Sequence, residues 1–199
     1  SHKLDLKFHT SRVIKIKPKE DRLKDLAERD FVEDKLNLSE LGVTELTEGL
    51  TIDGDLKLRN ASITKLPQNL TVKGDLDLIS SKITKLPEGL TVGGSLDLSG
   101  TKITELPEGL TVGGSLNLWD SNITELPEDL TVDGNLNLCS TKIAELLEGL
   151  TVNGELDLSS SKITELPESL SVGGDLVLSY TEITKLPEGI TVGGKIKRF

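Results

Sequence analysis

Apolar residues recur along this chain at a fixed set of places. In the stretch 91–110, TVGGSLDLSGTKITELPEGL, they stand at Val92, Leu96, Leu98, Ile103, Leu106 and Leu110. Twenty residues later the same types stand at Val112, Leu116, Leu118, Ile123, Leu126 and Leu130. With that stretch as a ruler of slots 1 to 20, seven clear copies run without a gap from Thr51 to Ile190. A worn copy precedes them at 31–50, and a partial one, TVGGKIKRF, closes the chain. A fixed period near 20 residues is the signature of a solenoid, whose coils bury their apolar groups only against their neighbours.

Slots 6 and 8 are two apart with a polar residue between, which predicts one face of a short strand. Slots 2, 13, 16 and 20 add four more apolar groups. Burying each is worth roughly 1.5–3 kcal/mol before chain entropy is subtracted, so one coil does not fold alone and a stack does. Slot 4 is glycine in every copy from Gly54 to Gly194. The Asp-Gly, Asn-Gly and Gly-Gly pairs this creates allow positive φ and predict a tight corner before each strand. Proline holds slot 17 in six of the seven clear copies, which predicts an extended return segment. Leu147 breaks that column and predicts a looser coil there. Slot 11 is Ser81, Thr101, Ser121, Thr141, Ser161 and Thr181, and a hydroxyl after the strand is expected to bond backbone groups left open by the turn.

The ends differ from the body. Residues 1–17 contain two alternating runs, KLDLKF and VIKIK, that read as strands. Residues 18–32 place Leu23, Leu26, Ala27 and Phe31 at helical spacing after an early Pro18. Residues 1–30 are therefore expected to form a small α+β N-terminal cap of strands plus a helix. Residues 31–190 form the solenoid of about eight coils, and 191–199 a partial repeat in which Arg198 replaces the apolar slot 8.

The stretch LDLSGTKITELPEGL resembles a leucine-rich repeat. The short period and the Leu-Pro of the return are similar to the bacterial class of these repeats, found in type III secreted effectors. The likeness covers about 31–199, with two departures. The family's asparagine position is Ser or Thr, and its first leucine gives way to the Val-Gly-Gly arrangement. The resemblance implies a mainly β repeat solenoid: a curved array with one short parallel strand per 20-residue coil, a concave sheet face, and a bacterial cytoplasmic or secreted setting. Some such effectors carry a separate ubiquitin-ligase domain with a catalytic cysteine, but Cys139 lies inside a repeat.

Charge and composition narrow the function. The chain has a net charge of −10 and only 3% aromatic residues, so the core must be Leu, Ile and Val. Residues 1–30 carry nine Lys/Arg against six Asp/Glu; the rest carries fourteen against twenty-seven. A weakly basic head thus joins a strongly acidic body, which disfavours nucleic acid and favours a basic protein partner. No apolar run approaches the roughly 18 residues that would insert in a membrane. One cysteine allows no internal disulfide. The histidines are His2 and His9, so no Ser–His–Asp, Cys–His or metal-ligand set can be assembled. No enzyme, metal or cofactor is expected.

In the strand reading, slots 5, 7 and 9 point out from the sheet. Slot 9 holds the chain's one tryptophan, Trp119, where neighbouring coils have Ser99, Cys139 and Ser159. A large aromatic on a polar sheet face is a candidate anchor for a partner. The candidate surface is Ile79, Asp97, Asn117, Trp119, Asn137, Cys139, Asp157, Val177 and Tyr180. The expected function is a non-catalytic protein–protein interaction module. The alternative is a structural spacer or surface array without a specific partner, which the near identity of the coils favours.

Overall fold

The coils from residue 51 to 170 turn the same six slots inward, and the inward slots open to solvent at the C-terminal end, where Leu186 and Ile196 are exposed. In the coil 91–110 the six are Val92, Leu96, Leu98, Ile103, Leu106 and Leu110, all at most 7% exposed. A computed structural model of the chain describes residues 4–7, 13–16, 35–39, 42–46, 48 and 50–198. It is a parallel β-solenoid of about eight turns, and no helix occurs among the described residues. Leu4–Lys7 and Val13–Ile16 are strands, as their alternation predicts, and pair antiparallel with Leu4 opposite Ile16. The expected helix over 18–32 lies outside the described residues.

The expected strand is present in every described coil. Lys35–Asn37 and Asp55–Lys57 begin a nine-stranded sheet that ends at Ile196–Lys197, with equal slots paired in parallel, such as Leu116 with Leu96 and with Leu136. Its ladder runs further than the two central residues. Slot 6, 8 and 10 amides donate to the slot 5, 7 and 9 carbonyls of the next coil: Leu96 to Ser115, Leu98 to Asn117, and Gly100 to Trp119, at 2.8–2.9 Å. A second sheet of eight two-residue strands, from Thr51–Ile52 to Thr191–Val192, runs along slots 1 and 2. Only slot 2 of that pair is inward, so alternation alone does not announce it.

The corner between the two sheets is a bend at slots 3 and 4, as predicted, but its glycine has a different cause. Left-handed residues lie elsewhere: slot 10 has φ between 52° and 64° from Asn60 to Tyr180. Slot 4 needs glycine because coils touch there. Gly114 donates its amide to the Gly94 carbonyl at 2.9 Å, and a Cβ on Gly114 would sit 2.8 Å from the carbonyl carbon of Gly94 and from the amide nitrogen of Ser95. Both obstacles are backbone, which no rotamer change relieves.

Slots 8 to 11 form a tight turn. The slot-11 amide donates to the slot-8 carbonyl, as Ser121 does to Leu118 at 3.0 Å, and the left-handed slot 10 supplies the φ that a type II turn requires at its third residue. The slot-11 hydroxyls divide by residue type. Those of Thr101, Thr141 and Thr181 donate to the same slot-8 carbonyl at 2.7–2.8 Å, while the buried hydroxyls of Ser81, Ser121 and Ser161 have no protein partner. Branching at Cβ holds the threonine χ1 in place; serine lacks that restraint.

The return segment of the Leu147 coil is more open at slot 16 than those of three other coils. Leu146 and Leu147 are only partly buried, whereas the slot-16 leucines Leu106, Leu126 and Leu166 are buried.

Two stability predictions follow from these contacts. Gly114→Ala should cost about 3 kcal/mol, the upper end for overpacking. Gly149→Ala, with φ 77° and nothing within 4 Å of its Cβ, should cost only the left-handed strain of about 1 kcal/mol. Equal shifts of the urea midpoint for the two would show that close approach does not fix the coil stacking. Thr141→Val should lose about 1 kcal/mol with its hydrogen bond, and Ser121→Ala should be neutral or stabilising, because it removes an unpaired buried hydroxyl. Equal losses in thermal unfolding would mean that the serine hydroxyls are bonded after all.

Candidate functional site

The outward face of the nine-stranded sheet carries eight of the nine candidate residues, Tyr180 lying at slot 10 in the turn that follows the strand, and its three outward slots have different duties. Slot 5 stitches coils together. Its amide falls between the two sheets' ladders and finds the slot-5 side-chain oxygen of the preceding coil. Ser95 N bonds Asp75 Oδ1 at 2.7 Å, Ser115 N bonds Ser95 Oγ at 3.1 Å, Asn135 N bonds Ser115 Oγ at 3.0 Å and Glu155 N bonds Asn135 Oδ1 at 2.8 Å. Only a short side chain ending in oxygen reaches. Glu155 interrupts the run, and its longer side chain meets Lys197 Nζ at 3.3 Å instead.

Slot 7 holds the turn that follows it. Asp77, Asp97, Asn117, Asn137 and Asp157 each accept the slot-9 amide of their own coil on Oδ1, at 2.8–3.1 Å. These are Asx turns, local bonds that compete with the regular ladder and that Asp and Asn side chains make more strongly than Ser or Thr. The candidates Asp97, Asn117, Asn137 and Asp157 are therefore half-buried turn builders as well as surface groups. Asn117 Nδ2 also donates to Asp97 Oδ2 at 3.1 Å. Where slot 7 is Lys57, the slot-9 amide of Arg59 turns to Ser39 Oγ of the preceding coil at 3.1 Å.

Slot 9 has a backbone position fixed by slot 7 and a side chain with few duties. Trp119 is 49% exposed, and Ile79 and Cys139 are half-buried. The register that pairs Asn117 with Asn137 puts Trp119 and Cys139 in adjacent coils. Tyr180 is 79% exposed, the most exposed large apolar side chain among the described residues. It occupies the left-handed slot 10 at φ 58°, three coils beyond Trp119, about 14 Å along the stack at the usual strand spacing. Val177 takes slot 7 in the same coil without an oxygen to hold the turn. The candidates thus do not converge on one pocket; the eight at slots 7 and 9 form a strip along one face, with Tyr180 in the turn beside it.

Sequence reasoning missed the left-handed slot 10 and the slot-5 stitching. Both left a signal. Slot 10 contains Asn60, Gly100 and Asp120, the residues that best tolerate positive φ, and slot 5 is mostly Asp, Ser or Asn.

The C-terminal end of the face has its own electrostatics. Lys197 Nζ lies 2.7 Å from Asp175 and 3.3 Å from Glu155. The amide of Lys195 and then the ammonium of Lys197 hold the Asp175 carboxyl below its ordinary range. Hydrogen bonds to Asp175 and Glu155 hold the Lys197 ammonium above its own. Arg198 donates to the Ile183 carbonyl at 3.0 Å, so a guanidinium stands where other coils bury a leucine. Among the described residues, no group of three or more His, Cys, Asp or Glu is placed to hold a metal ion, and no helix is long and apolar enough to cross a membrane.

Set against known proteins, the chain matches no family model, and no curated protein matches it in sequence. The class defined by the structure is the repeat β-solenoid with coils of about twenty residues.

The depressed Asp175 carboxyl fixes the sign of a pH effect. Its bonds stabilise the last coil fully above the ordinary Asp value near 3.9, and that stabilisation is lost as pH falls through the lower folded value. The amide proton of Lys195, followed by NMR, should titrate with a midpoint below 3.9. A midpoint at or above that value would contradict the bond.

Proposed function

We propose that this solenoid is a non-catalytic module that binds a protein partner through the outward face of its nine-stranded sheet, with Trp119 as the anchor. The observation that carries the reading is the contrast within slot 9. One large aromatic, 49% exposed, stands in a column that otherwise holds Arg59, Ile79, Cys139 and three serines, on a backbone that hydrogen bonds already hold rigid. A preordered surface loses little conformational freedom on binding, so an aromatic placed there contributes most of its buried area to affinity. The leucine-rich-repeat resemblance supports the reading, since in that family this face is concave and binds proteins. The acidic body favours a basic partner.

A second reading has its own support. The polar residues of slots 5 and 7 serve the coil's own backbone, so the regular acidic face follows from folding and does not by itself imply a partner. On that reading the array is a spacer. Affinity capture from the native source, comparing the intact chain with Trp119→Ala, separates the two. A protein held by the intact chain and reduced about tenfold or more by the substitution is expected for an anchor worth 1.4 kcal/mol or more. A partner held equally by both would remove Trp119 from the site, and no partner would leave the spacer.

A further inference from the structure

The return side of the solenoid carries a second irregularity that the sheet face does not explain. The coil 131–150 is the one clear copy without the slot-17 proline, and the same coil replaces the slot-14 threonine with Ala144. Both changes remove a residue that every other clear coil keeps. In this coil Leu146 and Leu147 are partly exposed. Two clefts open there, of about 670 and 280 Å³, and Leu147 lines both. Ala144 and Leu146 line the larger one.

The charges around this notch follow a pattern. Slot 15 reads Lys65, Lys85, Glu105, Glu125, Glu145, Glu165, Lys185, and slot 18 is glutamate from Glu88 to Glu188. The sign change at one boundary forms an ion pair, Lys85 to Glu105 at 2.6 Å. Beyond it glutamate stacks on glutamate at about the 4.8 Å coil spacing, which is unfavourable for like charges in register. Among the described residues, Glu125, Glu128 and Glu145 form no ion pair. Glu108 feels the crowding: loss of hydration first, and then the carboxylates of Asp129, Glu128 and Glu88, hold its carboxyl above the ordinary range. The array thus keeps an unneutralised carboxylate block around a gap in its apolar seam. An apolar partner alone would have no use for the charge.

We propose that this notch docks a cationic peptide segment of a partner protein. An aliphatic or aromatic side chain of the segment seats against Ala144, Leu146 and Leu147, and its flanking Lys or Arg side chains meet Glu125, Glu128 and Glu145. The site is independent of the sheet face, so it stands whether or not Trp119 is an anchor.

The test uses a fluorescein-labelled peptide of alternating arginine and leucine and the full chain, read by fluorescence anisotropy. A second peptide has serine in place of leucine. The double substitution Leu147→Pro with Ala144→Thr restores the residues that neighbouring coils already carry. The expected result is binding of the arginine–leucine peptide that weakens about tenfold or more in this variant, with the serine peptide weaker by a similar factor. Added salt should weaken both. A second variant, Glu125→Lys with Glu145→Lys, copies the slot-15 residue of three other coils and should abolish binding without disturbing the fold. Trp119→Ala should leave the affinity unchanged. The proposal is overturned by no binding to the intact chain, by equal binding of the two peptides, by undiminished binding to either return-side variant, or by loss of binding in Trp119→Ala.

Discussion

The coils of this protein are held at one hydrogen-bond spacing at two places at once, and everything else in the structure accommodates that. The nine-stranded sheet fixes the distance along slots 5 to 10, and the eight-stranded sheet fixes it along slots 1 to 4. One residue more or fewer between the two ladders would satisfy one and break the other. That fixes the spacing from slot 1 to slot 10, which is the same in all seven copies. It is also why slot 4 is glycine, since the backbones meet there with no room for a Cβ. A parallel sheet offers no tight hairpin at which to adjust register, so register is kept by identical spacing between the ladders.

The polar face follows from the same constraint. Between the two ladders the slot-5 amide has no carbonyl, and after the strand the slot-9 amide has none. An amide without a partner costs about as much as a lost hydrogen bond, so side chains fill both places. Asp, Asn and Ser do this because their oxygen is one or two bonds from the backbone. Much of the negative charge on the sheet is thus a by-product of backbone satisfaction. The carboxylates of slots 15 and 18 are different. From Glu88 onward, apart from Glu105 with Lys85, and Glu148, which accepts Ser169 Oγ at 2.7 Å, they make few bonds within the stack; earlier, Glu48 accepts the Gln68 amide at 2.8 Å.

Much of this was legible in the sequence because each coil repeats the same experiment. The inward slots, the strand and the corner follow from Leu96, Leu98 and Gly94 and their equivalents. The looser coil follows from Leu147. What was not legible depends on distances that only stacking creates. The glycine column reads as a turn signal because the usual reason for glycine is φ, and here the reason is a neighbouring backbone. The slot-11 serines and threonines read as one column, yet only threonine's branched Cβ turns its hydroxyl to the Leu138 and Leu98 carbonyls. The slot-7 acids read as recognition groups because their amide partners, two residues on, are invisible in a pattern of apolar and polar.

A repeat separates structural duty from freedom more cleanly than a globular core does. Slots 4, 6 and 8 hardly vary because the stack uses them. Slot 9 runs through Arg59, Ile79, Ser99, Trp119, Cys139, Ser159 and Ser179, since slot 7 holds its backbone in five of these coils and no one side-chain type is needed there; Arg59 and Ser99 use theirs to bond Asp77 and Asp97. Scatter in that column is permitted by the fold, so folding does not require the tryptophan there. Tyr180 goes a step further. It sits in a left-handed column that other coils fill with Asn, Asp, Gly or Ser, at a strain of about 1 kcal/mol, and 79% of it is exposed. Leu147 likewise gives up the proline that stiffens every other clear coil. Neutral drift accounts easily for a change that costs nothing, such as Ser159 for Ser99. It accounts less well for a tyrosine under strain and for a lost proline beside stacked glutamates, because each lowers the stability of an otherwise uniform stack. The positions where the coil departs from its own rule at a cost are therefore the first at which to test for a role other than folding.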